Sequence, residues 1–114
     1  MDAELKAKWL DALRSGKYDQ TTGQLRLGSC FCCLGVLCDV VDPKGWDDDN
    51  QEWHDATAEE DGNYYGSTRE ISELPDRFRS RIGMTIEDQQ CLVNMNDVER
   101  KTFSQIANYI EAKL

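Results

Sequence analysis

The chain has 114 residues, of which 39% are hydrophobic and 31% charged, with a formal net charge of −9. That length makes one domain around a single small core, and no apolar run approaches the roughly 20 residues of a membrane-spanning helix. The negative balance excludes the positive footprint by which proteins hold duplex nucleic acid through its phosphates.

The N-terminus shows no basic-then-apolar leader, and the five cysteines are an odd number. Both point to a reducing cytosol. Asp2 is the expected N-cap of a first helix, in which Leu5, Trp9 and Leu13 recur at i, i+4 and i+8 with Ala12 beside them. Gly16 follows as a natural residue past its end. Thr22-Gly23 marks a turn, and Gln24-Leu25-Arg26-Leu27 alternates like a short half-buried strand.

Ser29 to Val41 is the longest apolar run in the chain, and from Phe31 to Val41 only Asp39 is charged. It has no polar side at either the helical or the strand period, so it is buried on all sides. Its length favours a helix over Phe31 to Val41, with Ser29 as N-cap and Pro43 as a stop. Gly35 in its middle costs roughly 1 kcal/mol against Ala, which predicts a close helix-on-helix or helix-on-strand contact there. Four of the cysteines fall in this run. Cys30, Cys32, Cys33 and Cys38 could form a structural zinc–thiolate site, but their spacing lacks two separated pairs. Buried cysteines also pack as small hydrophobes, and core packing is the reading preferred here.

After the turn Asp42-Pro43-Lys44-Gly45 comes an acidic segment, placed at 42–63. Between Asp42 and Asp61 lie nine acids and one base, Lys44, a net −8 in twenty residues. The rest of the chain, with 13 acids and 12 bases, is nearly neutral. Trp46 and Trp53 are expected to pin this segment to the body, since a free loop has little use for two tryptophans. It is no EF-hand: with Asp47 at position 1, Glu52 stands where the loop needs Gly and Ala58 where it needs Glu. Asp47, Asp48, Asp49, Glu52, Trp53, Asp55, Glu59, Glu60 and Asp61 are the candidate partner-binding residues.

Tyr64 to Ile71 reads as a second extended piece, able to pair with Gln24–Leu27 in a small antiparallel sheet. Leu74-Pro75 opens a helix with Pro at its first position, Leu74, Phe78 and Ile82 repeat every four residues, and Gly83 ends it. Arg77, Arg79 and Arg81 make a solvated face or, with Tyr64 and Tyr65, an alternative ligand site gripping phosphate by charge and a base by stacking. Thr85 caps the next helix, with Ile86, Leu92 and Val93 towards the core and Met95-Asn96-Asp97 at its end. Thr102-x-x-Gln105 is a capping box, and Phe103, Ile106, Ala107, Ile110 and Leu114 form one stripe behind it.

The fold expected is α+β: a mostly helical single domain with a central buried helix, the first and last helices packed on it, and a small antiparallel sheet. No catalytic constellation is present. The single histidine, His54, lies in the acidic segment, and there is no phosphate loop, nucleophile elbow or zinc-protease motif. The chain is therefore read as a binding protein, not an enzyme, with no cofactor.

Several segments together carry a family resemblance: Lys8-Trp9 with Ala12-Leu13-Arg14-Ser15-Gly16-Lys17-Tyr18; Cys32-Cys33-Leu34-Gly35-Val36-Leu37-Cys38-Asp39; Leu74-Pro75; Met95-Asn96-Asp97; and Phe103-Ser104-Gln105-Ile106-Ala107 with Ile110-Glu111. The chain resembles a family of small bacteriophage and prophage proteins with this Cys-Cys-Leu-Gly-Val-Leu-Cys-Asp motif. The likeness covers nearly the whole chain, least from Gly45 to Gly66. At Val98-Glu99-Arg100-Lys101 the family pattern leads one to expect a shorter, Gly-containing turn. The resemblance implies the cytoplasm of an infected bacterium and brings no catalytic residues. With the acidic segment it points to an accessory protein that occupies a basic surface of a host protein, by acidic mimicry of nucleic acid. A nucleotide-sequestering binder is the alternative.

Overall fold

Asp2 Oδ2 accepts a hydrogen bond from the Leu5 amide at 2.8 Å, and helix α1 runs from this cap over Ala3–Arg14. The computed structural model describes residues 1–47, 52–53 and 73–114. Trp9 and Leu13 are buried as the spacing requires, Leu10 joins them, and Leu5 and Ala12 are half-buried.

Three two-residue strands follow: β1 (Asp19–Gln20), β2 (Arg26–Leu27) and β3 (Cys30–Phe31). Their order is β1-β3-β2, with β1 parallel and β2 antiparallel to β3. The sheet is therefore mixed rather than antiparallel throughout. Its central strand, β3, comes from the start of the apolar run. The expected pairing partner, Tyr64 to Ile71, lies outside the described residues. Leu25 is buried while Leu27 is 53% exposed, so the inward face of this stretch carries Leu25 and the strand proper begins one residue later.

Because Cys30 and Phe31 are held between two strands, the central helix α2 starts later than expected, at Cys33–Val41. Its N-cap is Cys32, whose Sγ accepts from the Gly35 amide at 3.3 Å, rather than Ser29, which lies in the β2–β3 turn. Cys33 through Cys38 are all buried. Gly35 sits against the backbone of Leu25, where a β-carbon would overlap the Leu25 carbonyl; this is the close contact that the glycine predicts, made with the residue just before β2. Trp9 joins the first helix to the second by donating from Nε1 to the Cys33 carbonyl at 2.9 Å.

Helix α3 (Asp76–Arg81) begins one residue later than expected, with Pro75 just outside it in extended conformation. Leu74, Phe78 and Ile82 are buried as the four-residue repeat requires. Helix α4 (Ile86–Val93) carries a reciprocal capping box between Thr85 and Asp88. Ile86 is 57% exposed, not in the core, because the inward stripe of α4 runs through Gln89 and Leu92. Nor do Met95-Asn96-Asp97 end the helix: the chain goes on into a π-helical turn, Asn94–Val98, closed by Glu99 N–H to Asn94 O at 2.9 Å. Arg100 then takes φ +53°, filling with a long side chain the left-handed position that a glycine in the turn would take most easily.

Helix α5 (Phe103–Lys113) starts from the Thr102–Gln105 capping box and buries Phe103, Ile106, Ala107 and Ile110. It packs mainly on α1, and it is α4 that joins α1 against α2. The Cα radius of gyration is 12.9 Å, that of one domain of this length, about 13 Å.

Candidate functional site

The acidic segment leaves the body at the end of α2, and its root is built from there. Asp42 Oδ1 accepts from the Lys44 amide at 3.0 Å, starting a 3₁₀ turn over Pro43–Gly45. Two short antiparallel strands follow, β4 (Trp46–Asp47) and β5 (Glu52–Trp53), with Trp46 opposite Trp53 and Asp47 opposite Glu52. Trp46 Nε1 donates to Asp39 Oδ1 at 3.1 Å. Trp53 Nε1 donates to the Asp42 carbonyl at 3.0 Å, and its ring meets Phe78 of α3 edge-on with centroids 5.0 Å apart. Both tryptophans thus tie the segment to the body. Trp53 is 0% exposed, which corrects its placement among the partner-binding residues: it is an anchor.

Asp39 is the centre of this root. Its second oxygen accepts from the Tyr18 hydroxyl at 2.6 Å. Burial, and after it the Asp39 carboxylate, push the Tyr18 phenol up to about 12, so Tyr18 keeps its proton and donates. The Phe31 ring stands edge-on to Tyr18 at 5.1 Å and to Trp46 at 5.7 Å. The Arg26 guanidinium lies 5.6 Å from the Phe31 centroid and 5.4 Å from that of Trp46, distances at which a cation is attracted by the ring face. Arg26 Nε also donates to the Gly28 carbonyl at 2.8 Å.

Asp47 and Glu52 are backbone partners in the register of this root. Asp48, Asp49, Asp55, Glu59, Glu60 and Asp61 lie outside the described residues, as do His54, Tyr64 and Tyr65.

The three arginines of α3 do not share one task. Arg79 is turned into the fold, its side chain 13% exposed, with Nη2 3.5 Å from the Asp76 carboxylate and Nη1 donating to the Met84 carbonyl at 3.0 Å. Arg81 lies over the Phe78 ring at 5.6 Å. Arg79 is therefore bound within the fold, and a three-arginine phosphate cradle loses its middle member.

None of the five cysteines is in a disulfide. Cys32, Cys33 and Cys38 are buried. Cys32 is the cap of α2, and the Cys33 thiol donates weakly to the Leu92 carbonyl at 3.8 Å. Burial pushes the Cys32 thiol up to about 12 and the Cys33 thiol well above its ordinary value. Cys32, Cys33 and Cys38 thus pack in the core as small apolar side chains. Among the described residues, no three His, Cys, Asp or Glu side chains are grouped to hold a metal ion.

One buried polar residue has a structural role that its sequence context does not show. Asn96, in the π-turn, is 1% exposed. Its Oδ1 accepts from Gln20 Nε2 at 2.9 Å and from the Cys33 amide at 3.3 Å. Its Nδ2 donates to the Thr21 carbonyl at 2.9 Å and to Asp97 Oδ1 at 2.7 Å. One amide side chain thereby fixes the end of β1, the first turn of α2 and the π-turn to one another. The three-residue offset of a capping box is visible in a sequence; a side-chain amide that bridges positions 63 to 76 residues away is not.

No helix among the described residues is long and apolar enough to cross a membrane. No curated protein and no solved structure matches the chain. The family described as Domain of unknown function (DUF8296) matches residues 1–114, and the chain belongs to it.

Proposed function

We propose that this protein is a non-enzymatic accessory protein that binds a basic surface on a host bacterial protein through its acidic segment. It presents to that partner a charge pattern resembling the nucleic acid the partner otherwise holds. The observation that carries this reading is the placement of charge: −8 of the net −9 lies between Asp42 and Asp61. A segment of that charge, tied at its root by two tryptophans, steers a basic partner by long-range attraction. The likeness to bacteriophage proteins supports a host protein as the target and the cytoplasm of the infected cell as the place.

The test is capture from a bacterial lysate near physiological salt, with an identical wash at about 0.5 M salt, where the Debye length falls to roughly 4 Å. The comparison is a variant carrying Asp47→Asn, Asp48→Asn, Asp49→Asn, Glu52→Gln and Asp55→Asn. A nucleic-acid-binding host protein retained by the natural chain, released by salt and not retained by the variant is the expected result. Equal retention by the variant removes the reading.

A further inference from the structure

We propose that the pocket beside the π-helical turn is a modification site, where the Cys91 thiol reacts with a small amino-acid-type disulfide carrying carboxylate and ammonium groups and keeps half of it as a mixed disulfide. The site lies apart from the acidic segment and does not depend on the reading above.

The pocket has a volume of about 280 Å³ and is lined by Cys91, Asn94, Met95, Glu99, Lys101 and Tyr109. The local chain path builds it. Cys91 lies in the last turn of α4. The π-turn closes with Glu99 N–H to Asn94 O, and the Lys101 amide then donates to the Met95 carbonyl, both at 2.9 Å. Between these two bonds Arg100 turns the chain back at φ +53°, a left-handed conformation that a side chain holds only at a cost. Glu99 and Lys101 are thereby folded back to share a pocket with Cys91 and Asn94, and α5 adds Tyr109. Glu99 Oε2 accepts from Asn94 Nδ2 at 2.9 Å, and Glu99 Oε1 lies 3.8 Å from Lys101 Nζ. That pair is weak, because its side chains are 43% and 40% exposed. A ligand carboxylate can therefore take Lys101 while a ligand ammonium takes Glu99.

Cys91 is the exposed thiol, Cys30 is half-buried, and Cys32, Cys33 and Cys38 are buried. A side-chain hydrogen bond with Cys91, and after it burial, hold the Tyr109 phenol above its ordinary value. Tyr109 therefore keeps its proton at neutral pH and stands as a donor beside the sulfur. The attacking species is the Cys91 thiolate. It forms a bond to one sulfur of the small disulfide as the old S–S bond breaks, and the other half leaves as a thiolate that takes up the proton Cys91 lost. The small disulfide is the oxidant: its departing sulfur is reduced as the Cys91 sulfur is oxidised. The pocket supplies the selection among disulfides.

The test follows adduct formation on the full chain by peptide mass spectrometry, with oxidised glutathione as the zwitterionic probe and hydroxyethyl disulfide as the uncharged one. Salt at about 0.15 M screens charges beyond roughly 8 Å. The ratio of the two rates at Cys91 cancels the intrinsic reactivity of the thiol. In the folded protein this ratio should exceed that of the free peptide Gln89–Val93, which has the thiol without the pocket, by about threefold, the scale of one exposed ion pair. An equal or lower ratio overturns the proposal, as does an adduct that forms first at Cys30. Lys101→Met should lower the ratio about threefold. Arg100→Met removes the same charge one residue away, outside the lining of the pocket, and should change the ratio little. An equal fall in these two variants would show that general charge alone attracts the probe, and overturns the proposal. Glu99→Gln should also lower the ratio; an unchanged or raised ratio would make this an anion site and overturn the zwitterionic class.

Discussion

Gly35 of the central helix lies against the carbonyl of Leu25, so close that a β-carbon would overlap it. Leu25 is itself fully buried, and its carbonyl accepts from the Cys32 amide at 3.0 Å. It is therefore backbone held from both sides and cannot easily retreat. In an open helix Gly→Ala stabilises by about 1 kcal/mol. Here Gly35→Ala should do the reverse, by about 1–3 kcal/mol, the usual cost of overpacking. A fall in Tm of several degrees is the expected outcome, and an unchanged or raised Tm would show that the sheet can move off the helix.

Asn96 makes a second sharp prediction. Replacing it by Leu keeps the volume roughly constant but leaves the Cys33 amide and the Thr21 carbonyl without their partner, while the exposed Gln20 keeps its bond to the Lys101 carbonyl. Each unsatisfied buried group costs about 1–3 kcal/mol, so Asn96→Leu should lose at least about 2 kcal/mol in urea denaturation, with the slope of the transition unchanged. Asn96→Asp should also destabilise, since it loses the two donated bonds and places a second carboxylate against Asp97. A loss under about 0.5 kcal/mol in both would mean that water takes over the network.

What was legible in the sequence follows from what each feature depends on. The caps at Asp2, Thr85 and Thr102, the stripes of α1 and α5 and the close approach at Gly35 are set within a few residues of chain, and all are present in the structure. The start of α2 was not legible, because Cys30 and Phe31 become strand only when Asp19–Gln20 and Arg26–Leu27 arrive on either side. The cap at Cys32 was missed because a thiol is a weak acceptor and not a usual cap. Ile86 was misplaced because apolar character alone does not fix the side of a short helix. At the candidate site, the anchoring of Trp46 and Trp53 followed from their hydrophobicity, while the full burial of Trp53 needed Phe78, twenty-five positions on, to be seen against it.

The cysteines should separate by reactivity. Cys91 is exposed and Cys30 half-buried, while Cys32, Cys33 and Cys38 are buried. Attack on a disulfide reagent needs both access and thiolate. A chromogenic aromatic disulfide at pH 8 should therefore titrate one thiol fast and a second slowly in the folded protein, and the other three only after denaturation. Cys91→Ser should abolish the fast phase alone. Rapid reaction of four or five thiols without denaturant would show that α2 is not sealed in the core.

The same burial fixes the alkaline limit of stability. In the unfolded chain Cys32 titrates near its ordinary 9.0 and Tyr18 near 10.0, whereas in the folded protein each is raised to about 12, with Cys33 raised in the same direction. A raised folded value means that the unfolded state releases its proton first, so the contribution to stability is fully present below the unfolded value and is lost as pH rises through the folded one. Between about pH 9 and 12 the buried Cys32 thiol should remove roughly 1 kcal/mol per pH unit, and Cys33 acts in the same direction. Tyr18 joins from about pH 10, with a smaller effect because its phenol is partly solvated. Urea midpoints measured under a reductant should hold steady up to about pH 9 and then fall with growing steepness. Cys33→Ala should make the early part of that fall shallower, and Tyr18→Phe the later part. A midpoint that stays level from pH 9 to 11 would mean that these thiols ionise in the folded protein as readily as in the unfolded chain, and would overturn the prediction.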